Sequence, residues 1–202
     1  MYPGTSLVTK ESNIEAHLRL ILLNHPFFHT AYNFKLQDTL IGEQPESEFD
    51  LAVFEFLNTE GINYSDKIVE YWFQNSPPFL TPHCDYNFIY REKMKLEGPD
   101  WPHRVHANLI VSPITIAVYL EVSDDLEGGE LCISSRTWYE EDEPTANDIT
   151  HIQEFPYESY KPKQGQVLYF RGSEHYHWID KIKTGTRKSM LINFWPKELL
   201  DK

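Results

Sequence analysis

The apolar positions change their period near residue 65. Before it, Ile14, Leu18, Ile21 and Leu22 recur at helical spacing, and Pro26 ends the run. Ser12-Asn-Ile-Glu15 reads as a capping box for that helix. A second helix is expected over 46–58, with Phe49, Val53, Phe56 and Leu57 on one side and Gly61 placed to stop it. From Asp66 onward the spacing becomes that of strands, at 67–73, 79–85, 107–122, 130–134, 166–170 and 188–195. Turn signals separate them at Ser76-Pro-Pro, Glu127-Gly-Gly, Lys163-Gln-Gly165 and Lys183-Thr-Gly185. Gly128 and Gly129 are expected in a tight turn that needs positive φ. Few helices followed by many strands predict a mainly β sandwich or jelly roll with flanking helices. No repeat and no long linker is visible, so one domain is expected over 1–202, with a helical flank at 1–65 and the β core at 66–196.

Two stretches interrupt the strands. Residues 86–106 are polar and aromatic and include Arg91, Lys93, Lys95 and Arg104. Residues 137–160 hold seven acids (Glu140, Glu141, Asp142, Glu143, Asp148, Glu154, Glu158) and no Lys or Arg. The bland reading of the second is a solvated loop. Trp138, Tyr139, Phe155, Tyr157 and Tyr160 in the same stretch keep open a second reading, a lid or docking face for a cationic substrate.

Composition narrows the function classes. The 202 residues are 41% hydrophobic and 14% aromatic, enough for a folded core. Eighteen basic against thirty-one acidic residues give a formal charge of −13, which argues against nucleic-acid and anionic-membrane partners. No apolar run reaches membrane-spanning length. The first residues lack a basic stretch followed by an apolar one, so no secretory leader is expected. Two cysteines, Cys84 and Cys132, make no disulfide framework, and a reduced, cytoplasmic setting is the expectation.

The candidate chemistry sits in two segments. In Thr81-Pro-His-Cys-Asp-Tyr-Asn87, His83 and Asp85 fall on one face if the segment is a strand, with Cys84 on the other. In Glu174-His-Tyr-His-Trp-Ile-Asp-Lys-Ile182, a strand histidine is followed by Arg187 across a turn at Gly185. Two histidines and one carboxylate suit Fe(II) with open positions. A guanidinium on the next strand can grip a carboxylate bidentately. His175 and His177 could both face the same side. His17, His25 and His29 read as surface or satisfied core histidines; His103, His106 and His151 lie on the two inserted stretches and read as surface histidines, with contact to substrate the alternative.

The order of these elements resembles the Fe(II)/2-oxoglutarate-dependent dioxygenases, and within them the prolyl 4-hydroxylase-like branch. The matching pieces are Glu70-Tyr-Trp, the H-x-D at His83, Val118-Tyr-Leu-Glu-Val122, and Leu126-Glu-Gly-Gly-Glu-Leu131. They continue with Pro162-x-x-Gly165 and its strand, then H-x-I-x-x-I-x-x-G-x-R from His177 to Arg187. The family spacing begins at His177, which favours it over His175. The resemblance implies a double-stranded β-helix (jelly roll) core. It also implies Fe(II) held by His83, Asp85 and His177, with Arg187 on the distal carboxylate of 2-oxoglutarate. Ser189, Tyr119 and Tyr71 are further candidates to reach that cosubstrate. O2 and ascorbate, as a candidate reductant, come with the family. So does hydroxylation of a C–H bond in a peptide side chain or a small metabolite. The 94 residues from His83 to His177 exceed the compact members, so the substrate does not transfer. A binding module without catalysis, or a cupin-type metal protein, stands as the alternative; the second leaves Arg187 unexplained.

Overall fold

The computed structural model of the protein describes residues 6–29, 37–41, 45–76, 80–85, 112, 114–137 and 149–196. In chain order these give β1 (Val8–Asn13), α1 (Ala16–Leu23), a 3-10 turn (Pro26–His29), β2 (Gln37–Ile41) and α2 (Glu48–Thr59). Then follow β3 (Lys67–Asn75), β4 (Leu80–His83), β5 (Thr115–Val122), β6 (Leu131–Thr137) and a further 3-10 segment (Ile149–Glu154). The last strands are β7 (Tyr157–Tyr160), β8 (Gln166–Phe170), β9 (His175–Ile179) and β10 (Arg187–Pro196).

Two antiparallel sheets result, with strand orders β1-β8-β5-β10-β3-β2 and β4-β9-β6-β7. Alternation along the strands sorts the side chains into layers. Ile116, Val118 and Leu120 of β5 join Met190, Ile192 and Phe194 of β10 and the apolar faces of α1 and α2 in one cluster. Ala117, Tyr119, Leu168 and Phe170 point the other way and meet Leu131, Ile133 and Ile179 of the smaller sheet. Strands β3, β5, β8 and β10 of the larger sheet are therefore buried on both faces, which is why their sequence reads as continuous apolar runs. Cys84, Cys132, Ile152, Tyr176 and Trp178 close the outer side of the smaller sheet. The protein is mainly β with flanking helices and a jelly-roll core.

Helix α2 begins and ends as its residues dictate. Ser47 Oγ accepts from Asp50 N at 3.1 Å while Asp50 Oδ2 accepts from Ser47 N at 3.0 Å. A reciprocal cap of this kind stabilises a helix by about 1 kcal/mol. At the other end Gly61 adopts φ 71° and Ile62 N donates to Leu57 O at 2.9 Å, a left-handed stop. The capping box expected at Ser12 does not form. Ser12 lies in β1, paired with Val167, and α1 starts from Glu15 with no side-chain cap. Gly128 and Gly129 do take positive φ, 80° and 75°. A Cβ on Gly128 would lie 2.0 Å from Lys181 O, so that turn admits only glycine.

Strands β1, β2 and β7 are additions to the expected set, each a sheet edge, and β9, outside the expected ranges, is the strand implied around His177. Residues 107–111 of the expected long strand lie outside the described residues, as do 86–106 and 138–148, with His103 and His106. Among the described residues no helix is long and apolar enough to cross a membrane.

Candidate metal centre and anion pocket

His177 sits on β9 between Tyr176 and Trp178, which face outward, so its ring enters the space between the sheets. There it meets Phe170 edge-on, with ring centroids 5.1 Å apart. The register pairs His177 with His83 on β4, and the two imidazoles stand 4.4 Å apart. Asp85 lies just past the end of β4. Its backbone N–H donates to Gly172 O at 2.9 Å. The ligand atoms of His83, Asp85 and His177 all lie within 4.8 Å of one another.

Each group is held by its own partner. His83 Nδ1 contacts Thr81 O at 2.8 Å, and His177 Nδ1 contacts His175 O at 3.2 Å. Both carbonyls can only accept, so each Nδ1 carries the proton and each Nε2 is directed inward. His177 Nε2 is buried with no hydrogen bond, 3.5 Å from Asp85 Oδ1. Asp85 Oδ2 accepts from Thr115 Oγ1 at 3.0 Å, and Thr115 Oγ1 lies 2.7 Å from Asn193 Oδ1. Gly172 allows this approach. A Cβ there would stand 2.5 Å from Thr115 Oγ1 and 2.6 Å from Asp85 Oδ2.

Burial alone would raise the Asp85 pKa, but His177, together with His83 and Asn193, outweighs burial and holds the carboxyl at about 2. Burial would lower His177, but Asp85 outweighs it and raises the imidazole above its ordinary range. Desolvation and His177 together pull His83 down. One inward imidazole nitrogen without a partner, a second beside it and a carboxylate oxygen fit a divalent transition metal, and the donor set is that of Fe(II) oxygenase sites.

Arg187 occupies the same inter-sheet space. It is fully buried. Its Nη1 donates to Gly129 O and its Nη2 to Gln74 Oε1, both at 2.8 Å. Its Nε has no partner, and neither has the buried Tyr119 hydroxyl, whose ring lies 5.7 Å from the guanidinium. Burial lowers the Arg187 pKa, yet a guanidinium starts so far above neutrality that it stays charged. No carboxylate pairs with it among the described residues. Burial also pushes Tyr119 up to about 12, so its hydroxyl remains a donor. Strand β5 links the two groups. Thr115 at one end touches Asp85, and Tyr119, four residues on and about 13 Å along the strand, lies beside Arg187.

The structure thus brings together His83, Asp85 and His177, and separately Arg187, Tyr119 and Ser189. Ser189 Oγ donates to Gln74 Oε1 at 3.3 Å. Tyr71 belongs to neither group. It packs in the cluster under the helices, and its hydroxyl donates to Asp50 Oδ1 at 2.9 Å. The expectation for Tyr71 is corrected on that ground: strand alternation turns it away from the inter-sheet space. His175 Nδ1 contacts Ser134 O at 3.1 Å, outside the group of three. His17 and His29 are exposed and His25 is buried among Phe49 and Phe73. Thr115, Asn193, Gly172 and Gln74 went unread in the sequence. Their one visible signal is a polar or small residue inside or beside a run of apolar strand positions.

No family model and no curated protein sequence matches the chain. Among solved structures, the fold is similar to that of a viral collagen prolyl hydroxylase from Paramecium Bursaria Chlorella virus-1 in its 2OG complex. Identity is 16%, 93% of this chain and 94% of that one are covered, and the TM-score is 0.52. It is also similar to apo HygX from Streptomyces hygroscopicus, with 12% identity, 92% and 79% of the chains covered and a TM-score of 0.56. Likeness at these identities establishes a shared fold.

Proposed function

We propose that the protein is an Fe(II)- and 2-oxoglutarate-dependent oxygenase that hydroxylates a C–H bond in a peptide side chain or a small metabolite. The observation that carries this reading is Arg187, a buried cation with a free Nε and no counter-ion among the described residues, in the same interior as a His-Asp-His group. A lone buried charge is costly, and an anionic ligand offsets the cost. The fold shared with a prolyl hydroxylase captured with 2OG supports the same identity for that anion.

His83, Asp85 and His177 would hold the iron. When bound, iron and 2-oxoglutarate supply oxygen activation, with 2-oxoglutarate decarboxylated to succinate and CO2 as the substrate C–H bond is hydroxylated. The chain's own residues place and shield. Thr81 O and His175 O fix the imidazoles with Nε2 inward. Thr115 takes up the outer oxygen of Asp85 and leaves Oδ1 for the metal. Arg187 Nε and the Tyr119 hydroxyl, both buried without a partner, would donate to the distal carboxylate. Leu168, Phe170, Ile133 and Ile179 surround these groups with apolar surface that excludes water and strengthens each contact. The acidic, aromatic stretch 137–160 favours a cationic or peptide substrate.

Titration of 2-oxoglutarate into Mn(II)-loaded protein tests the assignment. The wild type should bind it. Arg187→Ala should lose most of that affinity while binding Mn(II) as before. Equal loss of metal and 2-oxoglutarate would refute the role of Arg187.

A further inference from the structure

We infer that Gln74 is a positioning residue that aims Arg187 at its anion without neutralising it. This rests on the reading of Arg187 as the anion receptor. Gln74 lies opposite Ser189 in the β3–β10 register, so both side chains share the inter-sheet face with Arg187. Its Oε1 accepts from Arg187 Nη2 at 2.8 Å and from Ser189 Oγ at 3.3 Å. Ser189 therefore buttresses Gln74. The second anchor of the guanidinium, Gly129 O, is also neutral, and so is the Tyr119 ring.

A buried arginine is ordinarily held by a carboxylate. Strand β3 carries one on the same face at Glu70, where it accepts from Trp195 Nε1 at 2.7 Å. At position 74 an amide of the same shape as glutamate stands instead. Two of the five guanidinium N–H groups are oriented by neutral acceptors, and the full positive charge is left for a ligand. A glutamate there would supply an internal counter-ion and fill the role of the anion. Stability and binding would then move in opposite directions, which loss of a merely structural residue cannot produce.

The test is Gln74→Glu, read by thermal unfolding of the metal-free protein and by 2-oxoglutarate titration of the Mn(II)-loaded protein. The melting temperature should rise by at least about 2 °C. Affinity for 2-oxoglutarate should fall about a hundredfold or more, with Mn(II) affinity unchanged. Gln74→Met has similar length but no acceptor and no charge. It should lower the melting temperature and keep 2-oxoglutarate affinity within about tenfold of wild type. Equal loss of binding in both variants would overturn the inference, because loss of the amide hydrogen bond, and not the added counter-charge, would then be the cause. A lower melting temperature or failure to fold in Gln74→Glu would overturn it too. A wild type that ignores 2-oxoglutarate, with Gln74→Glu still more stable, would sink the proposed cosubstrate and leave the role of Gln74 supported.

Discussion

The Thr115 hydroxyl donates to Asp85 Oδ2 across 3.0 Å, joining the first residue of β5 to a carboxylate just past the end of β4. Oδ1 faces His177 and His83, at 3.5 and 3.8 Å. The hydroxyl has one proton and two neighbouring acceptors, and the charged one takes it in preference. Asn193 Nδ2 is buried without a partner, and turned over, that amide would donate to Thr115 in turn. Thr115→Val should therefore lower Mn(II) affinity about 10- to 100-fold, and Thr115→Ser should restore it. Equal affinity in wild type and Thr115→Val would show that Asp85 needs no such support.

Gly172→Ala should act on the same carboxylate from the backbone. Its Cβ would stand 2.6 Å from Asp85 Oδ2, inside van der Waals contact. Metal affinity should fall at least as far as in Thr115→Val. Unchanged metal titration in a folded Gly172→Ala protein would mean the approach is looser than the structure has it.

Much of this was legible before the structure. His83, Asp85, His177 and Arg187 stand in ordered motifs, and the apolar runs around them mark β3, β8 and β10. The three added strands are all sheet edges, where half the ladder is unpaired and the alternation is weak. β1 shows the competition most clearly. Ser12 and Glu15 carry a local helix-start signal, but pairing with β8 claims Ser12 for the sheet. Thr115, Asn193 and Gly172 could not be connected from sequence, because they lie in segments far apart in the chain that strand pairing alone brings together beside Asp85. Tyr71 shows the reverse limit. A strand tyrosine in a matching motif says nothing of which face it takes, and one residue of register decides it.

Tyr71→Phe checks that correction. It removes a buried hydrogen bond to Asp50 and should cost about 1 kcal/mol of stability in urea unfolding. 2-Oxoglutarate affinity should not change. A selective loss of that affinity would bring Tyr71 back to the pocket.

Metal binding should depend on pH through His177. In the metal-free protein Asp85 raises its pKa above the ordinary imidazole value. A metal must displace that proton, so affinity should fall as pH falls through the raised pKa and level off above it. Calorimetry in buffers of different ionisation enthalpy should show proton release on Mn(II) binding near neutral pH. The same raised pKa means that His177 stabilises the metal-free fold fully below about pH 6.5 and loses that contribution as pH rises through the folded value. Asp85, held at about 2, contributes above about pH 4 and loses it as pH falls toward 2. Mn(II) affinity that is flat from pH 6 to 8 would contradict the pairing.

The central claim is that one interior holds Fe(II) and 2-oxoglutarate together. It is tested most directly by the visible spectrum of metal-free protein under argon, on addition of Fe(II) and then 2-oxoglutarate. A weak charge-transfer band should appear only with both present, and it should be absent in His177→Ala and in Arg187→Ala at limiting 2-oxoglutarate. A folded wild-type protein that gives no band with either order of addition would contradict the claim and return the site to a metal-binding module without this cosubstrate.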